Sequence, residues 1–137
     1  MKTSFLLAAA LVCLARPLPA QTAAPAEAPA PAVKNVSAED AEKLLRERKD
    51  VVVIDLRTEA EFKTGHIAGA KNIDFLGSEF AKQTGALDKK TTYLVHCGSG
   101  RRSTKSLEVF ETQKFSSILH LNEGFKAWEA AGKPVEK

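Results

Sequence analysis

Cysteine is scarce in this chain of 137 residues: there are two, Cys13 and Cys97. No disulfide framework can be built from so few, and the fold must rest on an ordinary apolar core. Long apolar runs are missing too. The segment FLLAAALVCL, Phe5 to Leu14, has ten apolar residues, half of the roughly 20 a membrane-crossing helix needs. Blocks of one charge are also absent. Its 20 Lys and Arg are interspersed with 17 Asp and Glu, for a formal net charge of +3, which argues against a nucleic-acid footprint. The three histidines, His66, His96 and His120, do not have metal-ligand spacing, so zinc is not expected.

What is present begins with Lys2, the Phe5 to Leu14 run and then ARPLPAQ, the layout of a secretory signal. Residues 1–20 are expected to be a signal peptide cut between Ala20 and Gln21, with the mature protein exported and periplasmic, not inserted in the membrane. Lipidation at Cys13 is not expected, because Leu11 and Val12 precede it where a small residue is required. Cleavage removes Lys2 and Arg16 and no acid, leaving 18 basic against 17 acidic residues, a balance of +1. It also leaves Cys97 alone in an oxidising compartment, where a single thiol is either buried and inert or kept for its chemistry. Residues 21–35, QTAAPAEAPAPAVKN, are rich in Ala and Pro and read as a disordered linker. Residues 36–137, about 100 in all, suit one domain.

Within that domain, Ser37 and Asp40 have the spacing of a capping box opening a helix through Arg48. VVVID, Val51 to Asp55, is a β-branched run expected of an inner parallel strand. A short helix, TEAEFKTG, is closed by Gly65; an extended piece follows near GAKNID, then a helix around Ser78 to Gln83. TTYLVH and SSILHL read as strands, Ser103 to Thr112 and GFKAWEAAG as helices. The alternation predicts an α/β domain with a mostly parallel central sheet and helices on both faces. Ligands of such sheets sit beyond the carboxyl ends of the strands, and Cys97 directly follows one of them.

The loop CGSGRRS, Cys97 to Ser103, can turn successive N–H groups toward one point, a nest for an anion. Gly98 and Gly100 are expected to accept positive φ. The N–H groups, the following helix terminus, and Arg101 and Arg102 would each favour thiolate over thiol. The same cradle suits a persulfide or an oxyanion. A cysteine phosphatase would carry its arginine after five intervening residues, but five residues after Cys97 end at Arg102 and the next position is Ser103. The loop is one residue short, and a tighter ring suits a single sulfur better than phosphate.

DLRTEAEFKTGHIAGAKNID (Asp55 to Asp74), CGSGRRS and EGFKAWEAAGKPV (Glu123 to Val135) together resemble the signatures of a single-domain rhodanese, a family of sulfurtransferases. The resemblance implies a rhodanese-like fold in which Cys97 takes a sulfane sulfur from a donor such as thiosulfate. A persulfide forms and passes its sulfur to cyanide or a thiol. It implies no metal or organic cofactor. Donor and acceptor are small molecules in this reading, and a protein can fill either place. On this reading Cys97 is the nucleophile, and Gly98, Ser99, Gly100, Arg101, Arg102 and Ser103 bind the substrate, with a helix cap the favoured role for Ser103. His96 is expected to be structural, because neighbouring strand residues face opposite ways. His66 is expected in a hydrogen-bonded loop, His120 in or near the core, Asp55 and Arg57 as a bracing pair, and Trp128 in the core. Two readings stand beside the enzyme: a persulfide carrier serving one protein partner and, as a minor one, a phosphatase or arsenate reductase. A silent module is disfavoured because Cys97 is present. The chain departs from the family in two places. Glu123 stands where the first of two glycines is usual, at a distance from Cys97, and Lys114-Phe115 replaces a Gly-Phe turn.

Overall fold

The computed structural model describes residues 32–137. The expected signal peptide and the linker up to residue 31 lie outside the described residues. The strands are β1 (Ala32–Val36), β2 (Val52–Asp55), β3 (His66–Ile67), β4 (Lys71–Asn72), β5 (Thr92–His96), β6 (Ser117–Leu121) and β7 (Val135–Glu136). The helices are α1 (Ala38–Glu47), α2 (Glu59–Thr64), α3 (Phe80–Gly85), α4 (Arg101–Thr112) and α5 (Gly124–Ala130).

Five strands form one sheet in the order β1-β6-β5-β2-β4, and every neighbouring pair in it is parallel. The α/β architecture follows from strands whose alternate side chains enter two different cores. Val53, Leu94, Leu119 and Leu121 pack with Ala38 and Ala41 of α1 and Phe125 and Trp128 of α5. Ile54, Tyr93, Val95 and Ile118 pack on the opposite face with Phe80 of α3 and Phe110 of α4. Asp55 is in register with His96, and Val95 with His120, so the carboxyl ends of β2, β5 and β6 share one edge.

The expected elements form, with differences at their ends. Ser37 accepts from the Asp40 amide at 3.1 Å and caps α1. A full capping box, however, forms at α2, between Thr58 and Glu61. The linker assignment for residues 32–35 is corrected. They belong to β1, which lies along β6 from Ala32↔Ser117 to Val36↔Leu121. An edge strand gains its ladder from one neighbour and buries little, so its composition resembles a linker. A small antiparallel pair, His66↔Glu136 and Ile67↔Val135, ties the chain end to the segment after α2.

Candidate active site

Cys97 is the residue after β5 and is 1% exposed. The turn from strand to helix is tighter than the sequence suggested, because α4 starts at Arg101 with Gly100 as its N-cap. Ser103 is therefore not a cap but a buried residue of the first turn, its Oγ 3.5 Å from Cys97 Sγ and 3.2 Å from the Gly100 carbonyl. Gly100 donates its N–H to the sulfur at 3.1 Å, and the amides of Ser99 and Ser103 face it as well. Burial opposes charge on the sulfur, yet the Ser103 hydroxyl and the three amides outweigh it and hold the thiol below its ordinary pKa.

Gly100 has φ 91°, and a Cβ there would lie 1.9 Å from the Asn122 carbonyl oxygen. Only glycine meets both conditions. Gly98 differs from expectation: it is not at positive φ, and its lack of a side chain matters because a Cβ would stand 3.3 Å from Arg102 Nη2. The opening of α5 closes the loop from the other side. Phe125 N–H donates to the Cys97 carbonyl at 2.8 Å and Lys126 N–H to that of Gly98 at 3.0 Å. The turn at Glu123-Gly124 thus touches the active loop, contrary to the expectation that it lies away from Cys97. The exposed Glu123 occupies the tolerant position.

The two arginines have different surroundings. Arg102 donates to Glu61 at 2.8 and 2.9 Å, and this pairing, reinforced by hydrogen bonds from Thr58, holds the Glu61 carboxyl down to about 2. Glu61 was not among the expected site residues; the signal was the Thr-x-x-Glu spacing of a capping box. Arg101 is exposed and lines two clefts flanking the loop. One, of about 580 Å³, also takes in Asn35, Lys105 and His120. The other, of about 370 Å³, also takes in Phe75, Leu76, Arg102 and Lys105. Ser99 sits exposed between them.

Asp55 and Arg57 brace the site from below. Their buried guanidinium–carboxylate pair closes at 2.7 Å, Arg57 also donates to the Gly65 carbonyl at 2.6 Å, and it lies 3.9 Å over the Phe125 ring. His96 is fully buried, its Nδ1 3.1 Å from the Cys97 carbonyl oxygen, and it has no hydrogen bond to the sulfur. Burial keeps its imidazole below the usual pKa range. His66 stacks on Phe62 with ring centres 3.7 Å apart.

Cys97, faced by the amides of Ser99, Gly100 and Ser103, lies at the carboxyl edge of a parallel sheet, and the rhodanese-like domain model matches residues 37–131. The chain belongs to the rhodanese-like family. Among relatives, it is 33% identical over 93 residues to the uncharacterized protein slr1261 of Synechocystis, covering 68% of this chain and 51% of that one. The chain thus spans about half the length of that relative. It is 33% identical over 86 residues to the thiosulfate sulfurtransferase GlpE of Pseudomonas putida, covering 63% of this chain and 76% of the relative. Among solved structures, a rhodanese-related protein of Thermoplasma volcanium superposes with a TM-score of 0.66 at 26% identity. That match covers 75% of this chain and 97% of the other. The rhodanese-like domain thus has the α/β sheet of its family.

Proposed function

We propose that this rhodanese-like protein is a sulfurtransferase that carries a sulfane sulfur on Cys97. The observation behind this reading is the sulfur's surroundings: Gly100 N–H at 3.1 Å, the amides of Ser99 and Ser103, and the Ser103 hydroxyl at 3.5 Å. They favour thiolate and can follow the negative charge outward onto a second sulfur. The thiolate attacks the outer sulfur of thiosulfate. A new S–S bond forms, the bond to the sulfonate sulfur breaks, and sulfite leaves with that electron pair. The Cys97 persulfide anion remains. A thiolate or cyanide then attacks its outer sulfur, taking it and returning Cys97 as thiolate. Arg101, exposed above the loop, receives the donor anion, while Arg102, tied to Glu61, keeps positive charge close to the cradle.

The sulfurtransferase name of a relative agrees with this chemistry. Leu76, 68% exposed beside the cleft that holds Arg101 and Arg102, favours a second reading in which the acceptor is a protein and the domain acts as a persulfide carrier. Intact mass before and after thiosulfate, beside Cys97→Ser, tests the chemistry. A gain of one sulfur, absent from C97S and removed by cyanide, is the expected result; no gain with thiosulfate or with a persulfidated protein donor would refute it. Rapid steady-state turnover marks the enzyme, and a single loading without turnover marks the carrier.

A further inference from the structure

His120 is buried, 2% exposed, and the chemistry above does not use it. It is the penultimate residue of β6, on the sheet face covered by α4. Its Nε2 lies 2.8 Å from Ser103 Oγ, the same oxygen that stands 3.5 Å from Cys97 Sγ. Its Nδ1 lies 3.0 Å from Asn35 Oδ1, supplied by β1. With Asn35 accepting, Nδ1 carries the hydrogen and Nε2 is a free lone pair that accepts the Ser103 O–H. While Cys97 is a thiol, Ser103 Oγ accepts its S–H; once Cys97 is a thiolate, the Ser103 O–H donates to the sulfur, 3.5 Å away. The sulfur is buried, whereas His120 lines the cleft of about 580 Å³ that opens beside the loop.

We propose that Ser103 and His120, the latter held by Asn35, form a relay that takes the proton of the buried Cys97 thiol onto the imidazole. His120 acts as a positioning residue through the Ser103 hydroxyl. On ionisation the Cys97 proton moves to Ser103 Oγ, and the proton Ser103 already carried moves to His120 Nε2. Thiol and imidazole become thiolate and imidazolium, with no change in total charge. The imidazolium stays paired with the thiolate through Ser103, and the steps reverse when Cys97 is reprotonated. Burial lowers the His120 imidazole from its ordinary pKa, and the thiolate formed beside Ser103 works against that by favouring the charged ring. The titratable or charged groups around it are Cys97 at the end of β5, and Arg101 and Lys105 of α4, which line the same cleft; β1 contributes the neutral Asn35.

The relay serves the sulfurtransferase reading, but its test needs no sulfur donor. Thiolate absorbance of the full chain is followed against pH, with the trace of the matching Cys97→Ser variant subtracted to remove Cys13. His120→Gln keeps an acceptor for Ser103 but cannot take a proton. It is expected to move the Cys97 midpoint upward and cut the thiolate fraction near neutrality about tenfold, the low end of what a lost neighbouring cation does. Ser103→Ala is expected to shift it too, with little further change in the double variant, because the two act in series. A His120→Gln titration that coincides with that of the unchanged chain, or a double variant that is fully additive, would overturn the relay. NMR titration of His120 in the unchanged chain and in C97S supplies a readout that leaves the histidine in place. Coupling is reciprocal, so loss of the thiolate must lower the His120 midpoint, and equal midpoints refute the proposal whether or not H120Q folds. Absent sulfur loading together with a shifted Cys97 titration would sink the sulfurtransferase reading and leave the relay standing.

Discussion

Glu61→Gln separates charge from shape at the support of the active loop. The glutamine retains an oxygen for the Thr58 amide, which Glu61 accepts at 3.0 Å, but loses the ion pair to Arg102 at 2.8 Å. A carboxyl held at about 2 instead of 4.5 would correspond to about 3 kcal/mol if fully shielded. The side chain is 41% exposed, and solvent screening reduces this to about 1 kcal/mol. Because the folded carboxyl is depressed, its stabilisation is present above pH 4.5 and disappears as the pH falls toward about 2. Urea unfolding at pH 7 is therefore expected to show E61Q with its midpoint lower by about 0.5 M. The gap should shrink by more than half by about pH 3. Stability curves for the two proteins that run parallel across this range would refute the reasoning, since the glutamine cannot titrate.

Lys114 is the one described non-glycine residue at positive φ, 64°, so Lys114→Gly is expected to stabilise the domain by about 1 kcal/mol, raising Tm by about 4–8 °C in calorimetry. Gly124→Ala would place a Cβ 2.6 Å from the Gly98 carbonyl oxygen at φ 74°; sulfur loading of Cys97, read by intact mass, should fall by more than the loss of folded protein accounts for. Arg57→Ala leaves Asp55 buried without its partner and is expected to cost about 3–5 kcal/mol in chemical denaturation.

The two hydrophobic faces of the sheet were legible in the sequence because a run such as VVVID carries side chains for both cores, and the α/β order follows from its alternation with helices. Cys97 was legible as the residue that ends such a strand beside two glycines. The supports of the loop were less so. Glu61 reaches Arg102 across 41 positions, and His120 meets Ser103 and Asn35 across 17 and 85. No local pattern reports such pairings. Ile118 and His120, two apart on β6, share one face, and the packing of α4 over that face is what turns a core histidine into a neighbour of the site. Residues 32–35 were misread for the opposite reason: the strand draws its stability from the β6 ladder and not from side chains of its own.

Loop length can be argued in the same terms. The cradle from Cys97 to Arg102 is gripped at both ends of its turn. The Asn122 carbonyl lies where a Gly100 Cβ would be, and the Gly98 backbone lies where a Gly124 Cβ would be. Phe125 and Lys126 bond the carbonyls of Cys97 and Gly98, while Thr104 N–H bonds that of Gly100 at 2.9 Å. One added residue would have to break one of these bonds or lift the loop from the start of α5, because neither contact leaves room for an ångström of movement. The dimensions of the ring of amides around Cys97 Sγ are therefore set by packing between the loop, the β6–α5 turn and the first turn of α4. Enlarging the ring for a tetrahedral oxyanion requires changing the β6–α5 turn together with the loop, so a seventh residue inserted alone should cost stability before it changes ligand preference.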